Sequence, residues 1–253
     1  VPHPHPKPLN PHLKSRSSRV VWITGASSGI GWTLAEVFAA RGDQVIASAR
    51  SVDLLRKLKH SIEAKGGRCE IARMDVRSEK NVSATARELL KRVKHIDILV
   101  NNAGITYFKE FLATTTKEFD NVVNTNLRGL FLTTKGVLPS MLKRKMGLII
   151  NVLSFAAKTT YTRSGAYAAS KSGAEAMMNV LRAELREKGI GVMNVYPGAV
   201  LTRMWLPKHR QKYSNQMLEP QEVAELIYEA SVRAKSVMVE ELIIRPPGGD
   251  LSV

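Results

Sequence analysis

Val20-Val21-Trp22-Ile23-Thr24-Gly25-Ala26-Ser27-Ser28-Gly29-Ile30-Gly31 decides how this chain is read. Val20–Thr24 is an apolar run of the length and composition of a buried strand. It passes directly into a glycine-rich turn. Beyond the turn, Ile30, Leu34, Val37 and Phe38 fall on one helical face, and Gly42 supplies a stop. Gly25, Gly29 and Gly31 serve three needs at such a corner: a tight reversal, close approach of backbone amides to a pyrophosphate, and close packing of helix on strand. The helix start adds unpaired N–H groups and the positive end of a dipole. The spacing is GxxxGxG rather than GxGxxG.

The strand–helix alternation continues outward from this corner. Val45–Ala49, Cys69–Met74, Ile96–Val100, Gly147–Leu153 and Ile190–Tyr196 read as further strands, and Glu241–Ile244 as a last one. Between them lie helical stripes. The longest predicted helices run from about Thr115, with a Thr115/Glu118 capping box, to Lys143, and from about Ala166 to Lys188. Pro220 suits the first position of a helix reaching Arg233. The pattern predicts a single α/β domain over residues 20–253, a Rossmann-type, doubly wound parallel sheet with helices on both faces.

Residues 1–19 read differently. Pro2, Pro4, Pro6, Pro8 and Pro11 alternate with His3, His5 and His12, and Lys14, Arg16 and Arg19 follow without an acid. This predicts a disordered, basic arm. Its histidines match no defined metal site, and no metal is expected elsewhere. The whole chain carries 38 Lys+Arg against 22 Asp+Glu, a formal charge of +16. That suits anionic ligands or simple solubility. No zinc-finger spacing, aromatic RNA-binding strand or long basic helix points to specific nucleic-acid binding. No apolar run reaches the roughly 18 residues of a membrane span. The lone cysteine, Cys69, rules out an internal disulfide and favours a reducing, cytoplasmic compartment. A buried structural thiol is the expected role.

Further landmarks follow the strands. Asp75-Val76 comes after the third. Asn101-Asn102-Ala103-Gly104 comes after the fourth, and Asn126 lies in the long helix. Ser154 ends the fifth strand, and Tyr167-Ala168-Ala169-Ser170-Lys171 opens the next helix. Pro197-Gly198, Val200 and Thr202 follow the sixth. With the glycine corner, this ordered set resembles the single-domain branch of the short-chain dehydrogenases/reductases, over nearly all of residues 20–203. The resemblance fades over 204–253.

The chemistry of one pair can be argued without the resemblance. Tyr167 and Lys171 stand four apart, on one helical face. A phenol with a pKa of about 10 is a poor base at neutral pH. A neighbouring ammonium is expected to lower that value toward a useful acid/base group. Ser154 would donate a hydrogen bond to a substrate oxygen.

The resemblance implies more. Lys171 also binds the nicotinamide ribose, and Asn126 helps hold a proton-relaying water. Ser27, Ser28 and Ile30 line the phosphates. Asp75 and Val76 hold the adenine edge, Asn101 and Ala103, beside Gly104, the adenosine ribose side, and Val200 and Thr202 the carboxamide. Pro197 and Gly198 shape that loop. Together these imply hydride transfer between a nicotinamide cofactor and a carbonyl or secondary alcohol. A non-catalytic dinucleotide sensor of the same fold is the alternative; loss of Ser154, Tyr167 or Lys171 would favour it, and all three are present.

Cofactor choice is read from the end of the second strand. Ala49 stands where an NAD-selecting acid is expected, and Arg50 follows. Arginine can pair bidentately with a 2′-phosphate that a carboxylate would repel, so NADP(H) is favoured over NAD(H). Leu201–Glu219, with Met204, Trp205 and a basic rim, reads either as a lid or as a solvated loop with one anchoring Trp. A lid would suit an apolar substrate or an acyl group on an anionic carrier; Phe155, Tyr161, Tyr107 and Phe108 are candidate pocket walls. The outer faces of the long helices imply a homodimer or homotetramer, as in relatives.

Overall fold

The computed structural model describes residues 18–233 and 237–251. Residues 1–17, most of the predicted arm, lie outside the described residues. Arg19, read as part of that arm, is anchored to the domain. Its Nη2 and Nε donate to Asp43 Oδ2 at 2.6 Å and Oδ1 at 3.0 Å. Its guanidinium also lies over the rings of Phe38 and Tyr228.

Seven strands form one sheet in the order β3-β2-β1-β4-β5-β6-β7. They are β1 Val20–Thr24, β2 Gln44–Ala49, β3 Arg68–Arg73, β4 Ile98–Asn101, β5 Gly147–Val152, β6 Ile190–Pro197 and β7 Glu241–Ile244. Every pairing is parallel. The expected doubly wound sheet is therefore present. Strand order turns between β1 and β4, which opens a crevice at their C-terminal ends, where open α/β sheets take ligands.

The helices are α1 Gly29–Ala40, α2 Val52–Ala64, α3 Glu79–Val93, α4 Thr116–Val123, α5 Gly129–Arg144, α6 Gly165–Leu185, α7 Pro207–Tyr213 and α8 Pro220–Arg233. Strand side chains alternate between two cores. Val21, Ile23, Val45 and Ala47 pack with Leu34 and Phe38 of α1, Leu58 of α2 and Ile227 of α8. Trp22, Ile46, Leu99 and Ile149 pack on the other face with Leu89 of α3, Val137 of α5 and Met178 of α6. Burying each of the larger of these side chains contributes about 1.5–3 kcal/mol. Cys69 is buried in the first core, and burial pushes its thiol up to about 12, consistent with a structural role.

Two local outcomes differ from expectation. The long helix from Thr115 is divided by a π-helical turn, Asn124–Arg128, between α4 and α5. The segment 201–219 is not all loop, because α7 lies within it.

Three asparagines stand in register across the sheet: Asn101 opposite Asn151, and Asn151 opposite Asn194. Each is buried. Asn101 Nδ2 donates to Asn151 Oδ1 at 2.9 Å, and Asn151 Nδ2 donates to Asn194 Oδ1 at 2.9 Å. Asn194 Nδ2 then reaches Asn179 on α6 at 3.0 Å. The ladder ties together the three strands whose ends carry Gly104, Ser154 and Gly198. Asn151→Ala leaves one donor and one acceptor unpaired, each costing about 1–3 kcal/mol. Urea unfolding should show a loss of roughly 2–4 kcal/mol with an unchanged slope; a variant within experimental error of the parent would show that the ladder does not carry this load.

Candidate active site

The floor of the site begins at the glycine corner. Gly25 has φ +67° and Gly29 φ +56°, a backbone region that suits glycine. A Cβ on Gly31 would lie 2.6 Å from the Gly25 carbonyl oxygen and 2.3 Å from Asn102 Nδ2. The first is with backbone that cannot give way, and the second would push the Asn102 amide off its hydrogen bonds. Ser28 precedes α1 in an extended conformation and makes no side-chain cap, so the helix starts with open N–H donors. Gly25, Ser27, Ser28, Gly29 and Ile30 all line one cavity of about 960 Å³. Gly31 does not line it; its place is under the corner, where the helix meets Gly25 and Asn102.

The wall opposite comes from β5 and α6. Ser154, Tyr167 and Lys171 all line the cavity. Lys171 is buried, and its Nζ donates to the Val152 carbonyl at 2.8 Å. The same Nζ lies 5.7 Å from the Tyr167 ring centroid. Ser154 hydrogen-bonds the Tyr167 phenol, which favours its ionised form. Ser154 also accepts from Ala156 N at 3.1 Å, capping the short turn that follows β5. It is thus both a strand-end cap and a cavity group.

One electrostatic expectation is corrected. The ammonium was expected to lower the Tyr167 pKa. Burial dominates instead and pushes the phenol above its ordinary value, with the Ser154 hydrogen bond opposing it. Burial lowers Lys171 as well, to about 8. A low-dielectric wall penalises the charged form of each group. At neutral pH the pair therefore rests as neutral phenol beside ammonium.

Asn126 sits in the π-helical turn and is buried. Its Oδ1 accepts from Ile105 N at 2.9 Å, and its Nδ2 donates to Ile105 O and Ser170 Oγ, both at 3.0 Å. It does not line the cavity. A Cβ on Gly104 would stand 3.5 Å from Asn126 Oδ1 and 3.6 Å from Lys171 Nζ, so the bare glycine lies between the two. Asn101 also lies away from the cavity, within the ladder described above, where it accepts from Thr133 Oγ1 at 2.6 Å. Ala103, Gly104, Pro197, Gly198, Val200 and Thr202 do line it.

At the far end, Arg50, Asp75 and Val76 line the cavity. Arg77 donates to Asp75 through Nη2 at 2.7 Å and holds that carboxyl below its usual range. Arg50 is exposed; its side chain makes no hydrogen bond or ion pair among the described residues, and its charge helps hold the Asp75 carboxyl down. Arg73, the register partner of Ala49, shares a smaller adjoining recess with Arg50.

At the other end, Phe108 stacks on Trp205 with ring centroids 5.1 Å apart. Phe108, Phe155 and Tyr161 line the cavity; Tyr107 does not. Sequence reasoning missed the C-terminal segment. Asp250 and Leu251 reach the cavity, and Asp250 hydrogen-bonds Tyr161. Arg245 pairs with Asp250 at 2.9 Å and lies 4.3 Å from the Phe155 ring centroid. The Pro246-Pro247-Gly248-Gly249 reversal was the available signal.

Comparisons with known proteins agree on one family. The family model described as short chain dehydrogenase matches residues 19–213. Sepiapterin reductase from Chlorobaculum tepidum is 30% identical over 239 residues, covering 92% of this chain and 98% of that protein. Fatty acyl-CoA reductase from Acinetobacter baylyi is 35% identical over 217 residues, covering 85% and 73%. Among solved structures, a metagenomic short-chain oxidoreductase in complex with NADP is 30% identical, with a TM-score of 0.80 and coverage of 90% and 96%.

The depressed Lys171 has a consequence for stability. Its folded pKa of about 8 lies below the ordinary lysine value. The unfolded chain therefore binds more protons between those two values, and stability contributed by this group rises with pH across that window. Below pH 8 the full cost is present, about 3 kcal/mol. Replacing the ammonium also frees the Val152 carbonyl, which costs about 1–2 kcal/mol. Lys171→Met should thus be more stable than the parent at pH 7 by roughly 1–2 kcal/mol in urea unfolding, with the gap closing toward pH 10. A clear loss of stability at pH 7 would contradict the burial argument.

Proposed function

Because the chain belongs to the short-chain dehydrogenase/reductase family, an oxidoreductase family, we propose that it reduces a carbonyl with NADPH, using Tyr167 as the proton donor. The observation carrying this reading is convergence. Tyr167, Ser154 and Lys171 share one wall of a cavity whose floor is the bare glycine corner. A dinucleotide fits that corner: the glycine backbone allows close approach, and α1 offers uncapped N–H donors to a pyrophosphate. Gly25, Ser27, Ser28, Gly29 and Ile30 would hold the phosphates, with Gly31 keeping α1 close to the corner. Asp75, Val76, Ala103 and Gly104 would flank the adenosine, and Asn101 would act from behind through its strand. Pro197, Gly198, Val200 and Thr202 would face the nicotinamide. When bound, the reduced nicotinamide supplies a hydride to the carbonyl carbon.

The chain's own residues manage the oxygen. Ser154 Oγ orients the substrate oxygen and the phenol. Tyr167 gives its proton to the oxygen as charge develops there. Lys171 keeps a positive charge near the ring, where it favours the phenolate left behind. Asn126 holds the Ile105 backbone beside Gly104 and thereby shapes the space next to Lys171. Arg50 is the selector for a 2′-phosphate, since Ala49 offers no competing carboxylate. The outer faces of α4, α5 and α6, where Phe119, Phe131 and Val180 are exposed, would form a homodimer or homotetramer contact.

A neutral phenol is ready to donate, not to accept. Carbonyl reduction should therefore hold level from pH 6 to 8, and alcohol oxidation should climb as the solution becomes alkaline. An oxidation rate that falls over that range would oppose the assignment. Tyr167→Phe should lower NADPH-dependent reduction by about 10²–10⁴-fold while leaving NADPH affinity within a few-fold; full activity in this variant would end the proposal. Arg50→Asp should weaken NADPH binding by at least about tenfold and spare NADH. Equal or tighter NADH binding by the parent would remove Arg50 from this role.

A further inference from the structure

Beyond the cleft itself, its rim carries a feature that the redox chemistry does not use. Phe111 and Leu112 are 89% and 97% exposed. They sit on a turn between β4 and α4, three and four residues after Phe108, so the chain keeps them within about 15 Å of the Phe108–Trp205 stack. On the other side of that stack, Met204 and Leu206 are 40% and 50% exposed and flank Trp205 in sequence. Scattered single exposed hydrophobics are ordinary, but large ones grouped at a cavity mouth mark an interaction surface.

The charges around this group are mostly positive. From Leu201 to Leu218 the chain contains Arg203, Lys208, Arg210 and Lys212 and no acid. None of these four makes an ion pair among the described residues; Arg203, Lys208 and Lys212 are exposed, whereas Arg210 is half-buried, with its Nε shielded from solvent. Lys109 is engaged by Glu118, which leaves Glu110 as the acid of the Phe111 turn. Arg163, exposed, is held beside that turn by the hydrogen bond from Lys109 N to its carbonyl at 2.9 Å.

We propose that the cleft mouth, from Phe111-Leu112 to α7, docks on an anionic lipid bilayer. Aromatic and aliphatic tips enter the interface while lysine and arginine heads remain at the level of the lipid phosphates. Each part matches one layer of such a surface: apolar tips for the acyl boundary, cations for the headgroups. A second copy of this chain fits less well, because two such rims would bring like charges together.

The test is sedimentation of the full chain with phosphatidylcholine vesicles that either lack or contain phosphatidylserine. The expected result is binding several-fold stronger to the anionic vesicles, weakening with added salt. Phe111→Ser with Leu112→Ser should weaken it by roughly tenfold or more, and Lys208→Glu with Lys212→Glu should abolish the preference for phosphatidylserine. Both variants should retain the parent's elution volume and circular dichroism. Equal binding to both vesicle types, or variants that bind as the parent does, would overturn the proposal. So would a change of elution volume in the Phe111/Leu112 variant without a change in vesicle binding, which would reveal a contact between copies. The readout involves no turnover, so it fails or succeeds separately from the assignment of Tyr167.

Discussion

The site depends on a latch between the ends of β1 and β4. Thr24 Oγ1 accepts from the backbone N–H of Asn102 at 3.0 Å and of Ala103 at 3.1 Å. In return, Asn102 Nδ2 donates to the carbonyls of Thr24 at 3.0 Å and Gly25 at 3.1 Å. These bonds close the crevice floor where strand order reverses, and they explain the glycines above it. A side chain at Gly25 would strike the Ala103 backbone at 2.7 Å, and one at Gly31 would displace the Asn102 amide. The corner is bare because the latch is tight, and a bare corner is what a phosphate chain can approach. Packing and binding thus impose the same residue choice.

A second constraint is electrical. Lys171 and Tyr167 are placed where neither charge is favoured, and both respond by moving toward neutrality. The lysine retains its proton at neutral pH, and so does the phenol. Such a wall costs stability, yet its low dielectric strengthens whatever interaction the ammonium makes with a negative charge beside it. Both groups stand on one face of α6. The asparagine ladder supports that face from behind by joining β4, β5 and β6 to α6.

Much of the fold was legible because its signals are local. The apolar strands, the Ile30-to-Phe38 stripe, the Thr115/Glu118 capping box and the stop at Gly42 each occupy a few neighbouring residues. The capping box appears as read, and Tyr167 and Lys171 meet as their i,i+4 spacing required. What escaped is of another kind. The π-helical turn at Asn124–Arg128 changes the hydrogen-bond step without altering the apolar pattern. Pro207–Tyr213 carries no apolar stripe, so it resembled a loop. Asn101 and Asn102 are adjacent, yet one ends a strand and points into the sheet while the other turns to the glycines. A shift of one residue reverses the face. The direction of the Tyr167 shift needed burial, which spacing cannot express.

The two ends of the cleft follow different rules, and this bears on how specificity could change. The glycine-corner end is made from strand termini locked by the Thr24 and Asn102 hydrogen bonds and by forbidden Cβ positions, so few substitutions there leave the geometry intact. The opposite end is assembled from the turn carrying Phe108, from Trp205 before α7, and from the returning segment that places Asp250 against Tyr161. Many of its contacts run from side chain to side chain, between segments outside the strands of the sheet. Arg245 ties the returning segment to the turn after β5, pairing with Asp250 and covering Phe155. Residues of this kind can be exchanged without disturbing the latch or the Lys171 wall. A scaffold so divided can keep the glycine corner and the Lys171 wall while the shape of the opposite end varies, and the stretch after β6 is where that variation is physically cheapest.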